Sequence, residues 1–465
     1  MRRMLLQFTV ENFLSFREET VFSMLAPPGA TVGATEVPGQ PGMRVMRVAA
    51  LYGANASGKS NLVEAIRVAQ ALVAKGVDAN KKLPGRPFKL DGASVTKPSR
   101  FQFDFVVGEA RYSYTIEFST ESVRAEALYR VLAGGDEQLV FEREAPEGEG
   151  AHEVRLGDVL QEGDEEQRQF VRFVARGTRV NQPLLTELAQ RNVSMDLTEV
   201  LRWFDAGLQT VKPTQNFEKL VPELTRRADL LSFCGESLSQ LGTGILQIEV
   251  RSRPPTGGFE ELLAGARQKV WERAGEEERA LLRNEDLEFD RGNRALNVET
   301  GLVREVLLHH QGADRPVEFK LSEESDGTQR LLHLLPVLYD ATRGDHTVVV
   351  DELDRSLHTA LTRRFVEEFN AASDHGGARS QLIFTTHDTN LLNGRLVPPA
   401  SIWFVEKDGH GATRLHSLAE YSAEQLGPLL DRLEDGYLQG RFGAIPFLAP
   451  RESLQWAPGD PGKAA

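Results

Sequence analysis

The sequence predicts an α/β fold with a mixed sheet, a β-rich N-terminal lobe and a helical insertion in mid-chain. Three observations carry this. The run "RVMRVAALYG" ends at Gly53 and is followed by the helical periodicity of "KSNLVEAIRVAQALVAKG"; "HTVVVDELDRSLH" leads in the same way into "TALTRRFVEEFNAA". "RFQFDFVVGEARYSYTIEFS" reads as two alternating runs joined at Gly108, a hairpin. Between these parts lies a stretch of helical segments without a chemical motif.

Taken in order, the first 25 residues alternate apolar and polar, as a half-buried strand does. "EVPGQPG" is a loop, and the turn-rich, acidic "GGDEQLVFEREAPEGEG" closes the first lobe, set at residues 1–155. The insertion is set at 156–290. Its segments "EEQRQFVRFVARG", "QPLLTELAQRN", "LTEVLRWFDAGLQTV" and "VPELTRRADLLSFCGESLSQL" all read as helical, and "GFEELLAGARQKVWERAGEEERALLRNE" as a long charged helix. Strand-like pieces return with "LQIEV", "LVREVLLHH" and "VEFKL", then "QLIFTTHD" and "ASIWFVEKDG". A C-terminal lobe is set at 291–450, and the Pro/Gly-rich 451–465 is read as a disordered tail.

The chain has 465 residues, of which 40% are hydrophobic, enough for a large core. A single cysteine, Cys234, excludes a disulfide framework and a thiolate zinc site, and reads as a buried apolar residue. No apolar run approaches the roughly 20 residues that cross a bilayer. "MRRMLLQFTVENF" is basic then apolar, but Gln7, Thr9, Glu11 and Asn12 interrupt it, so a strand is preferred to a signal peptide and a cytoplasmic location is expected. The net charge of -14 argues against a general nucleic-acid coat. Nucleic acid stays open as a partner through local basic pieces such as "TRRADLL" and "EVRSRPP".

The strongest chemical signal is "GANASGKS", Gly53 to Ser60, which fits G-x-x-x-x-G-K-[ST] between a strand and a helix. Glycines let consecutive N–H groups of Asn55, Ala56, Ser57 and Gly58 point inward around a phosphate, and the helix N-terminus adds positive potential. Lys59 is placed to reach the β- and γ-phosphates of ATP, Ser60 to offer an oxygen to Mg²⁺, and Asn61, next in the chain, is taken with them as nucleotide-binding. The second signal is "TVVVDELD", where Asp351 would hold Mg²⁺ and Glu352 would polarise an attacking water. Third, "LIFTTHD" ends near His387, which could donate to the γ-phosphate and join Glu352 as a catalytic group. His309, His310 and His333 lack such a context and read as structural or exposed. No N-K-x-D motif is present, which disfavours a GTPase.

A fourth feature, "SDGTQ" at 325–329, stands at the mouth of the helical "TQRLLHLLPVLYD". Together with the phosphate loop and the strand-end histidine it resembles the LSGGQ signature of the ABC ATPases. That resemblance implies an ABC-type P-loop head. It further implies that Ser325, Gly327 and Gln329 act in trans on ATP held by a second copy, so that two heads form a homodimer or higher assembly. Without it, Ser325 or Asp326 reads as a helix N-cap, and both roles are compatible. Pro336 predicts a kink.

"LLQFTVENFLSFREET" looks like the start of SMC and RecF heads. "PFKLD", "ESDGTQRLL", "DELDRSLH" and "YLQGRFGAIP" resemble a bacterial subgroup of stand-alone AAA-family ATP-binding proteins, related to the ATPase half of overcoming-lysogenisation-defect (OLD) nucleases. Members often stand in anti-phage operons beside a separate effector. Two departures matter. His358 occupies the place of the aspartate that crosses the dimer in transporter heads, and is carried as an interface residue. Leu14 stands where some SMC-like heads carry a basic residue; Arg17 could substitute, but a solvated charge is its favoured reading. Gln102 is the guess for the glutamine that couples nucleotide to the lobes.

The implied function is an ATP-driven switch controlling an effector protein, a nuclease or toxin, in anti-phage defence. The alternatives are a DNA-maintenance ATPase of SMC or RecF type, a transporter ATPase subunit, and an ATP-bound scaffold with little turnover. No membrane partner is expected. The region after 390 is too short for a nuclease domain and lacks its acidic cluster, so any nuclease is expected on another polypeptide.

Overall fold

The computed structural model describes residues 2–30, 32–146, 152–213, 220–254, 268, 286–289, 294–297, 302–376, 379–394, 396–422 and 426–445. The long charged helix predicted over 258–285 lies outside these residues apart from Gln268, and so does the tail 451–465.

The fold is α/β, built on a six-stranded sheet ordered Leu208–Val211, Thr347–Val350, Gln381–Thr385, Val48–Tyr52, Ile402–Lys407 and Thr413–Ser417. All neighbours are parallel except the last pair. The inner strands "VAALY", "TVVV" and "QLIFT" are buried at every position, because both faces are covered. Ala49, Leu51, Val349 and Ile383 face one core, and Val48, Ala50, Val348 and Phe384 face another. The phosphate loop, the acidic pair and His387 all follow C-terminal ends of these parallel strands. That is where open α/β sheets bind ligands.

A seven-stranded antiparallel sheet carries the N-terminal lobe, with Arg3–Glu11 beside the hairpin Ser99–Val107 and Ala110–Phe118. Gly108, at φ 67, makes the hairpin turn. Arg3–Glu11 is more deeply buried than its alternation predicts. Leu5, Phe8 and Val10 enter the large core, while Met4 and Leu6 pack on Val37, Val45 and Val106 of a second, small cluster. Gln381 joins the two sheets: its amide accepts from Leu5 N at 2.7 Å and from Thr347 Oγ1 at 3.0 Å, and donates to Leu5 O at 2.9 Å.

Helices Glu165–Gly177, Leu184–Gln190 and Met195–Arg202 form as read from the sequence, the first with an Asp164–Gln167 capping box. Residues 184–208, within the stretch read as an insertion, pack into the large core. There Trp203 stacks on Phe105 at 4.3 Å, and Phe204 meets Phe103 edge-on. The helix expected over "LTEVLRWFDAGLQTV" runs as an α-helix to Arg202, widens to a π-helix over Trp203–Gly207 and ends there. Leu208–Val211 is instead a strand, because the open edge of Thr347–Val350 takes its backbone hydrogen bonds. Helices Leu220–Arg226 and Ala228–Gln240 pack with the signature-bearing helix Asp326–Ala341 and a third, antiparallel sheet that includes Ile245–Arg253 and Val303–His310. Cys234 is buried in that core, and burial pushes its thiol up to about 12.

Candidate functional site

The loop after Val48–Tyr52 is shaped by close approaches that only glycine allows. A Cβ on Gly53 would stand 2.2 Å from Val405 O, and one on Gly58, at φ +118, would stand 2.2 Å from Thr413 Oγ1. Asn55 and Ala56 are exposed, Ala56 in left-handed backbone at φ 63, while Ser57, Gly58 and Lys59 are buried. Helix Lys59–Lys75 starts directly from this turn, with no acidic residue in its first turn. No carboxylate of the helix's own first turn therefore competes for its N-terminal amides and dipole. Lys59 folds back over the loop and donates to Gly53 O at 2.7 Å and Ala54 O at 3.1 Å. Burial lowers its pKa to about 8, against the opposing pull of Asp351, Glu352 and Asp354.

The acidic strand end meets this loop. Ser60 Oγ donates to Asp351 Oδ1 at 3.1 Å, and Thr385 Oγ1 donates to the same oxygen at 2.7 Å. The Thr385 hydroxyl also accepts the Glu352 N–H at 2.7 Å, so one buried threonine orients both acidic residues. Glu352 sits in left-handed backbone at φ 49, a conformation that neighbouring bonds must hold, and its carboxylate faces Arg355 Nη1 at 3.4 Å. His387 is exposed. Its N–H points at the Asp354 carboxylate at 3.3 Å, and partial desolvation with the Lys59 charge holds its imidazole below the usual range.

Ser325 caps helix Asp326–Ala341, its Oγ accepting from Thr328 N at 3.2 Å, and is exposed to solvent. Gly327 passes so close to the loop after Glu352 that a Cβ would stand 2.7 Å from Ser356 O. Gln329 donates back to Glu324 O at 2.9 Å, which closes the turn. Pro336 lies inside the helix, which continues past it. His358 is exposed, and its Nδ1 accepts from Ala360 N at 3.1 Å.

Other residues have different surroundings from those expected. Gln102 bonds to Arg100, Asp104 and Ser113 on the antiparallel sheet, and among the described residues no bond joins it to the loop or the acidic strand. Arg17 pairs with Glu18. His310, read as structural or exposed, contacts Glu324 at 2.5 Å, directly behind Ser325. His309 meets Glu249 at 3.1 Å in a group with Glu318, whose two carboxylates already share Arg251.

Four contributors escaped the motif reading. Ser15, in "NFLSF", accepts from Asn61 Nδ2 at 2.6 Å and from Thr413 Oγ1 at 2.7 Å, and so braces the phosphate loop from the first strand's turn. Thr385 and Arg330 are two more, and Glu64 is the fourth. The pairings of the first three run from 21 residues apart for Arg330 and Asp351 to 398 for Ser15 and Thr413, and none falls within one turn or hairpin, though "TTHD" and "TQRLL" both lie inside quoted motifs. Glu64, one turn beyond Lys59, accepts from Arg67, Lys212 and Arg86. Burial acts to raise its pKa, but these hydrogen bonds outweigh it and hold the carboxyl well below the usual range.

The residues fit a magnesium nucleotide. Ser57 Oγ is buried without a hydrogen-bond partner among the described residues, and the glycines leave a cradle that a side chain would fill. The hydroxyl of Ser60 and the carboxylate of Asp351 form the hard oxygen donor set that Mg²⁺ prefers.

No described helix is long and apolar enough to cross a membrane. No curated protein matches the sequence. Among solved structures, the SMC head domain from Thermotoga maritima aligns at 14% identity over 90% of this chain and 99% of that one, with a TM-score of 0.35. The SmcHead bound to the C-winged helix domain of ScpA aligns at 14% identity over 91% and 99%, with a TM-score of 0.37. The recombination mediator protein RecF with ATP aligns at 13% identity over 90% and 98%, with a TM-score of 0.32. A family model described as "AAA domain, putative AbiEii toxin, Type IV TA system" matches residues 48–393, from the phosphate-loop strand to beyond His387, and the chain belongs to that family.

Proposed function

We propose that the protein is an ATP-hydrolysing molecular switch that closes two copies head to head around ATP and thereby controls a separate effector. The observation that carries hydrolysis is the single Thr385 hydroxyl joining Asp351, Ser60's partner, to the backbone of Glu352. In this reading Lys59 binds the β- and γ-phosphates, and Gly53 to Ser60 cradle them. Glu352 accepts a proton as water attacks the γ-phosphorus, the bond to the leaving oxygen of ADP breaks, and Lys59 stabilises the charge that develops. Magnesium, held by Ser60 and Asp351, would supply further charge neutralisation. His387 would report the presence of the γ-phosphate.

The exposed Ser325 at a helix N-terminus supports use of the signature by a second copy: its cap bond is local and its face is open. The family description speaks of a type IV toxin–antitoxin system. In our reading this chain is the ATP-dependent controller in an anti-phage system, and the destructive chemistry lies on another polypeptide.

The test uses two variants. Glu352→Gln should bind ATP, accumulate as a dimer by light scattering and lose phosphate release by about 10²-fold or more. Ser325→Arg should bind ATP as a monomer. Phosphate release within threefold of wild type in Glu352→Gln, or normal ATP-dependent dimers in Ser325→Arg, would overturn the corresponding half of the proposal.

A further inference from the structure

Arg330 lies on the signature helix, five residues and roughly 7.5 Å of helix axis beyond Ser325. It is 6% exposed. The half-buried Arg227 takes a carboxylate, Asp340 at 2.6 Å, whereas the fully buried Arg143 takes the main-chain carbonyls of Gln182 and Arg179. Arg330 also takes main-chain carbonyls. Nη1 donates to Lys212 O at 3.0 Å, and Nη2 to Asp351 O at 3.3 Å and Glu352 O at 3.5 Å. Its Nε has no hydrogen-bond partner among the described residues.

These carbonyls directly follow the C-terminal ends of two adjacent parallel strands, Leu208–Val211 and Thr347–Val350. One of them closes the Glu352 residue, whose φ of 49 needs support from both sides. Thr385 holds its N–H, and Arg330 reaches its carbonyl. The same helix touches the following loop again at Gly327 and Ser356. The signature turn is thus tied at two points to the segment that carries the acidic pair. The two Arg330 bonds to that segment, at 3.3 and 3.5 Å, are longer than its 3.0 Å bond to Lys212 O.

We infer that Arg330 is a positioning residue that makes Glu352 in one copy respond to the nucleotide its own Ser325 caps in the other copy. This rests on the reading above, in which the signature acts in trans and Glu352 in cis. Capture of the partner's γ-phosphate at the helix N-terminus pulls Asp326–Ala341, and Arg330 carries that displacement to the Glu352 peptide. Hydrolysis at one site then depends on occupancy of the other, a coupling that requires one element biased by both sites.

The experiment compares Arg330→Lys, Arg330→Met and Gly327→Ala with wild type in steady-state ATP hydrolysis and in fluorescent-nucleotide binding. Wild type should show a Hill coefficient approaching 2. Arg330→Lys keeps the charge but not the fork, and should lower kcat by about tenfold and bring the Hill coefficient to about 1, with nucleotide Kd unchanged within about twofold. Gly327→Ala, which pushes on Ser356 O without removing a buried charge, should lower kcat and the Hill coefficient likewise, its Kd free to weaken because Gly327 also faces the partner's nucleotide, and serves if Arg330→Met does not fold.

Wild-type kcat and cooperativity in Arg330→Lys and Gly327→Ala would overturn the inference. So would a parallel loss of kcat, nucleotide affinity and melting temperature in Arg330→Lys, which marks a purely structural role. Ser325→Arg and Glu352→Gln, run alongside, tell this failure apart from failure of the underlying reading: they misbehave only in the second case.

Discussion

Lys59 is buried, and its ammonium bonds two main-chain carbonyls while its pKa stands at about 8 rather than 10.5. Phosphate oxygens arriving beside it favour the charged form and raise that pKa again. Nucleotide binding at alkaline pH must therefore take up a proton. At pH 8.5 a group of pKa about 8 is roughly three-quarters deprotonated, so binding should take up about 0.8 proton at that site; at pH 7 the figure falls to about 0.1.

The stability of the nucleotide-free protein moves with the same group. Below pH 8 the folded and unfolded states are both charged, and the full cost of burying the charge is present. Between pH 8 and 10.5 the unfolded state binds more protons, so stability rises with pH, by up to about 3 kcal/mol for a shift from 10.5 to about 8. Calorimetric titration of ADP in two buffers of different ionisation enthalpy reads the proton uptake. Lys59→Arg, which cannot deprotonate, should bind without it, and Lys59→Met should lose the alkaline rise in stability. Uptake below about 0.2 proton at pH 8.5 in the wild type, or an alkaline rise unchanged in Lys59→Met, would refute the argument.

Other expectations follow from the same geometry. Thr385→Val keeps the shape but strips a carboxylate bond and orphans the Glu352 N–H; unfolding in urea should show a loss of about 2–4 kcal/mol, with ATP turnover falling more steeply than nucleotide affinity. Gly58→Ala forces a Cβ into the Thr413 hydroxyl at φ +118, and nucleotide binding should fall by at least about tenfold, seen by fluorescence titration, with no matching loss of the central sheet by circular dichroism. Gln381→Leu leaves Leu5 N–H and O and the Thr347 hydroxyl without their shared partner; thermal unfolding should report a loss of about 2–4 kcal/mol and separate the two sheets' transitions.

The local arithmetic of the chain determined a good deal by itself. Glycine spacing, a lysine and a hydroxyl between a strand and a helix specify a phosphate cradle, because backbone freedom, amide direction and helix dipole are all short-range properties. The buried strands "VAALY", "TVVV" and "QLIFT" were legible because a sheet covered on both faces needs unbroken apolar runs.

Tertiary structure alone decided the rest. Leu208–Val211 became a strand because an open sheet edge outweighed helical periodicity, and Gln102 went to a side-chain network on the antiparallel sheet rather than the site. Ser15, Thr385 and Arg330 act through partners distant in sequence, such as the Ser15 and Thr413 hydroxyls. Which carbonyl a buried guanidinium reaches is set by how strands and helices dock, and docking leaves no period in the residues that take part.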